Sequence, residues 1–88
     1  MVQLTIKLKP DFEILKQLVN KNVEYDELNI DVKQGRHIID GKSFLGMLIL
    51  NLKSEMTLLI NSNEAEDVTK YIDDIEPFVL EKIEEKWI

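Results

Sequence analysis

The sequence predicts an α+β fold in which helices cover one face of a sheet and water covers the other. Two observations predict it. Short runs with apolar residues at every second position interleave with runs that keep apolar residues three and four positions apart, in the order β-α-β-β-α-β-α. The alternate positions of the strand-like runs are polar, so one sheet face is buried and the other is largely wet. A chain of 88 residues suits a single domain, residues 1–88, with one modest core.

The first strand is read from Val2, Leu4, Ile6 and Leu8, which alternate with Gln3, Thr5 and Lys7. Pro10 ends that ladder because it has no N–H, and Asp11 can cap a helix whose stripe is Phe12, Leu15, Leu18 and Val19, running to about Asn22. Leu28, Ile30 and Val32 alternate with Asn29, Asp31 and Lys33, and Gln34-Gly35 turns the chain into Arg36 to Asp40. The second and third strands therefore form a hairpin.

A second helix starts at Ser43, whose hydroxyl is placed to accept from an orphan N–H of the first turn. Phe44, Leu45, Met47, Leu48, Ile49, Leu50 and Leu52 follow, with only Gly46 and Asn51 interrupting, so this helix is apolar nearly all the way round and needs a cover or a partner. Glu55 to Asn61 supplies the fourth strand, with Met56, Leu58 and Ile60 on one face. Asn61-Ser62-Asn63 then lead into a third helix, in which Val68, Tyr71, Ile72 and Ile75 keep helical spacing.

Glu76-Pro77 should kink that helix or open a new one with Pro77 at its first position. From Phe78 to Ile88 the chain reads as amphipathic, with Leu80, Ile83 and Trp87 on one stripe. Residues 77–88 are thus expected to be a C-terminal helical extension, docked on this domain or on another molecule. It is expected to cover apolar surface left by the Ser43 helix or the neighbouring sheet, within the chain or across a dimer.

At 44% hydrophobic and 32% charged, the composition is that of an ordered globular protein. The formal net charge of −6 argues against nucleic-acid binding, which draws on a basic field. With no cysteine there is no disulfide, no thiolate chemistry and no usual zinc site. No leader pattern and no membrane-length apolar run is visible, so a cytoplasmic protein that does not enter the membrane is expected.

Lys42-Ser43-Phe44-Leu45-Gly46-Met47-Leu48 resembles the HPr family, the small phosphocarriers of the bacterial phosphoenolpyruvate:sugar phosphotransferase system, around their regulatory serine. The family has Lys-Ser, two apolar residues, Gly and two more apolar residues there, and the resemblance extends loosely over about residues 2 to 76. It implies an HPr-like open-faced β-sandwich, a four-stranded antiparallel sheet in the order one, four, two, three with helices on one face, to which the segment after Pro77 is an addition. It implies too that Ser43 is a candidate for phosphorylation by a serine kinase, although a cap alone is the plainer role. Phe44, Leu45 and Leu48 would form a docking surface for Enzyme I and other protein partners, with Met47 and Leu50 facing the sheet.

The resemblance fails where the chemistry of that family lies. Its members carry His-Ala-Arg-Pro just after the first strand, and the histidine takes the phosphoryl group. Here Leu8-Lys9-Pro10-Asp11-Phe12-Glu13-Ile14 occupies the region, with no histidine, no arginine and a shorter loop. Asp11 and Glu13 would repel the phosphate that a helix N-terminus attracts. His37, the only histidine, sits on the third strand beside Arg36 with no ligand or carboxylate at a suggestive spacing. No nucleophile with an adjacent base and no phosphate-cradling glycine loop is visible.

The expectation is therefore a degenerate, non-catalytic relative that acts as a docking or regulatory module, without enzymatic activity, cofactor or metal. Its partners would be phosphotransferase-system proteins, a serine kinase or a second copy. The alternatives are an active phosphocarrier using His37 or another atypical acceptor, and a structural or oligomerising domain whose apolar helices bury each other.

Overall fold

A computed structural model describes all residues from Met1 to Ile88. The chain forms β1 (Val2–Leu8), α1 (Phe12–Glu24), β2 (Asn29–Gln34), β3 (His37–Asp40), α2 (Phe44–Met47), β4 (Met56–Asn61), α3 (Ala65–Ile75), a 3₁₀ turn (Glu76–Phe78) and β5 (Val79–Trp87). The five strands make one sheet in the order β3-β2-β4-β1-β5, each antiparallel to its neighbour. Four strands were expected, and the fifth comes from the segment read as a helix.

Alternation decides the layers. Along β1 and β4 every second residue is buried, so Leu4, Ile6, Leu58 and Ile60 line the helix-covered face. Leu15, Leu18 and Val19 of α1 and Val68, Tyr71 and Ile75 of α3 close the core from above. Gln3, Thr5 and Thr57 face the open side, where the two threonine hydroxyls share a hydrogen bond of 2.9 Å.

The local signals act where the sequence puts them. Asp11 accepts from the Glu13 N–H at 2.7 Å and starts α1 after Pro10. Gly35, at φ 58°, opens the two-residue turn between Gln34 and His37, a left-handed position that a hairpin of this length demands.

Two expected elements differ. The expected C-terminal helix over 77–88 does not form. Pro77 lies in the 3₁₀ turn, as the absence of its N–H permits, and the chain then runs back along the free edge of β1. Its apolar spacing imitates a helix because β5 is bulged twice, beside the Thr5–Ile6 and Lys7–Leu8 steps of β1. Each bulge sets two residues of β5 against one of β1 and so shifts the alternation by one position. The strand covers the β1 edge and lies at the opposite side of the sheet from α2, which it does not cover.

The Ser43 helix is also shorter than its apolar run. It makes one turn, Phe44–Met47, followed by tighter turns such as the Leu50 N–H to the Met47 carbonyl at 3.1 Å. Gln34 ends it from outside. Its side-chain amide accepts from the Asn51 N–H at 2.8 Å and donates to the Asn51 carbonyl at 2.9 Å, so the backbone at Asn51 is taken out of the helical ladder.

Candidate functional site

The Asp40–Leu50 segment carries the residues with the strongest sequence signal, and its backbone is fixed at several points. Asp40 accepts from the Lys42 N–H at 2.9 Å through its side chain and from the Ser43 N–H at 3.0 Å through its carbonyl. Gly41 donates to the Ile30 carbonyl at 2.8 Å and accepts from the Asn22 amide at 2.7 Å. A Cβ on Gly41 would stand 2.8 Å from that Ile30 oxygen, a backbone atom that cannot move aside, so only glycine fits this approach. The Lys42 ammonium reaches the Tyr25 carbonyl at 2.9 Å and so ties the turn to the end of α1.

Ser43 is the N-cap of α2. Its Oγ accepts from the Gly46 N–H at 3.1 Å. Ser43→Ala should therefore cost roughly 0.5–2 kcal/mol. Ser43→Asp should be close to neutral, because a carboxylate also caps and suits the positive end of the first turn. Denaturant melts check this, and equal damage from Ala and Asp would mean the hydroxyl does not act as a cap.

The apolar run divides between core and solvent. Met47 and Leu50 are buried. Phe44, expected on the docking surface, is half-buried and packed against the core, while Leu45 is 79% exposed, Leu48 41% and Ile49 56%. The free patch is thus Leu45, Leu48 and Ile49. Ile49 went unassigned from sequence because nothing in a continuous apolar run says which side chains the fold turns outward. Gly46 brings the turn down onto β3, where a Cβ would lie 2.8 Å from the Ile39 methyl.

Behind this segment lies a polar junction without a sequence signature. The Tyr71 hydroxyl donates to Asn22 Oδ1 at 2.5 Å, the Asn22 amide holds the Gly41 carbonyl, and Tyr25 meets Tyr71 edge to face with centroids 5.3 Å apart. The Tyr25 hydroxyl donates to Asp74. Burial pushes the Tyr71 phenol above its ordinary value, and the charge of Tyr25 adds to the shift. Burial, then the bond and charge of Asp74, do the same at Tyr25. Both hydroxyls donate in these bonds, so the junction ties α1 and α3 to the Gly41 turn that leads into α2.

The remaining sequence candidates lie apart from one another. Asp11 and Glu13 are exposed at the start of α1, with Asp11 engaged as the cap. His37 is exposed at the start of β3 beside the hairpin turn. No group of histidine, aspartate and glutamate has metal-ligand geometry. The groove between α3 and β5, floored by Leu4, Ile6, Ile72 and Val79, has a volume of about 180 Å³, below the usual size of a small-molecule site. No helix is long and apolar enough to cross a membrane.

The arrangement thus brings the exposed Leu45, Leu48 and Ile49 together on one hydrogen-bonded turn. No family model, curated protein or solved structure matches this chain.

Proposed function

We propose that the chain is a non-catalytic docking or regulatory module of the HPr kind, which presents Leu45, Leu48 and Ile49 to a protein partner. The observation that carries this reading is the exposure of three large apolar side chains within five residues, on a turn held by bonds from Gln34, Asn22 and Ser43. Single exposed leucines are ordinary, but a clustered and preorganised set loses little entropy on binding. The Lys42-Ser43 resemblance supplies the class of partner, proteins of the phosphotransferase system. The acids at the start of α1 oppose phosphate binding there and support a module rather than a carrier.

Incubation with phosphoenolpyruvate and Enzyme I, followed by intact mass, tests the chemistry. No acid-labile phosphate should appear, and stoichiometric phosphohistidine at His37 would overturn the reading in favour of a carrier. Titration with unphosphorylated Enzyme I tests the docking. Resonances of Leu45, Leu48 and Ile49 should shift, and Leu48→Asp should weaken binding tenfold or more, a change of about 1.4 kcal/mol. Absence of any interaction with Enzyme I would remove the phosphotransferase system as the source of the partner.

A further inference from the structure

We propose that the free edge of β5 pairs antiparallel with β5 of a second copy of this chain, making one continuous sheet through both molecules. β5 is nine residues long, ends the sheet, and has β1 as its single strand partner. The unused half of its backbone donors and acceptors therefore points away from the domain. Leu80, Ile83 and Trp87 are 62%, 40% and 48% exposed along the same strand. Natural edge strands of this length are guarded by charge, and β5 carries five charged residues between Leu80 and Trp87. Their order decides whether they guard against a second copy or select it.

Residues that face each other across an antiparallel pair share a sheet face. Lys82 lies opposite Ile6 and Glu85 opposite Leu4, so both stand on the helix side. Glu81 lies opposite Lys7 and Lys86 opposite Gln3, so both stand on the open side. In a regular strand, positions three or five apart fall on opposite faces and could not meet their symmetry mates. The bulge at Ile83 shifts the alternation and puts each pair on one face.

A two-fold axis between Ile83 and Glu84 then sets Lys82 against the partner's Glu85 and Glu81 against the partner's Lys86, twice each. It also brings Leu80 beside the partner's Trp87. A slip of one residue either way brings side chains of opposite sheet faces into line, Glu81 with the partner's Glu85 in one direction and Lys82 with the partner's Lys86 in the other, so neither slipped register can form these pairs. The register about Ile83 and Glu84 sets all four charges against opposite charges on shared faces. Exposed ion pairs add little affinity but fix register well, while the backbone ladder and the Leu80 and Trp87 contact supply the association. This surface is separate from the α2 patch, and the proposal does not rest on the docking reading.

Sedimentation of the full chain is the test. The wild type should sediment as a dimer, with amides of β5 gaining protection from exchange as concentration rises. A chain carrying Lys82→Glu and Lys86→Glu opposes acids to acids, and one carrying Glu81→Lys and Glu85→Lys opposes lysines to lysines. Each alone should lose at least tenfold in self-association, and their equimolar mixture should recover a dimer, because every opposed pair is then complementary. A wild type that stays monomeric to its solubility limit overturns the proposal. So do variants that dimerise alone as well as wild type, or a folded pair that fails to recover on mixing. If either variant does not fold, the exchange experiment on the wild type decides: β5 protection independent of concentration refutes edge pairing.

Discussion

Tyr71→Ala should destabilise the domain by about 3–5 kcal/mol from the loss of the ring alone. The ring is fully buried beneath α3, packed edge to face on Tyr25. Its removal also strands Asn22 Oδ1 in the core, which adds roughly 1–3 kcal/mol. Against a typical total of about 5–15 kcal/mol, that leaves a domain near its unfolding threshold. Tyr71→Phe keeps the ring and loses the bond, so it should cost only the second part. Urea melts of the two variants separate the contributions, and a neutral Tyr71→Phe would show that the hydroxyl contributes nothing net.

The same tyrosines give the stability a pH dependence on the alkaline side. Both phenols are raised above 10.0 in the folded chain, Tyr71 chiefly by burial and Tyr25 by burial and Asp74. Above that pH the unfolded chain releases protons the folded chain retains, so stability falls as pH rises past 10.0. The decline should be shallower in Tyr71→Phe. Melts at successive alkaline pH values measure it, and an identical slope would place the titration elsewhere.

Removal of residues 79–88 should destabilise the domain by at least about 3 kcal/mol. Val79 packs against the core, and burying such a side chain fully is worth roughly 1.5–3 kcal/mol. The ladder along β1 adds hydrogen bonds of about 0.5–1.5 kcal/mol net each. Truncation also makes β1 the sheet edge, beside Leu4 and Ile6, so the shortened chain should bind a hydrophobic dye and aggregate on warming. An unchanged melting midpoint without dye binding would make β5 an appendage that the domain does not use.

How far the candidate site was legible follows from the range of the interactions that build it. The Ser43 cap depends on neighbours in sequence, and residue type at fixed spacing expresses it, whereas the inward placement of Met47 and Leu50 was expected from the family resemblance and not from the pattern of the run. The exposure of Ile49, and the half-burial of Phe44, follow from where Gln34 and Ile39 hold the turn. Those residues come from the hairpin, and a continuous apolar run gives no sign of them. Asn22, Tyr71 and Gly41 lie 19 and 49 residues apart along the bonds that join them, so each reads alone as an ordinary helix or turn residue.

The sequence by itself determined the α+β class, four of the strands, the hairpin turn at Gly35 and the starts of α1 and α2, because alternation, caps and turn residues act over a few positions. Tertiary structure alone decided the fate of residues 79–88. Leu80, Ile83 and Trp87 fit a helix by spacing, but the free edge of β1, more than seventy residues away, offered a full row of backbone partners. Two bulges reconcile the helical spacing with that ladder. A helix satisfies its hydrogen bonds locally, whereas a strand needs a partner, and a partner so distant in the chain is set by the fold rather than by the pattern of the segment itself.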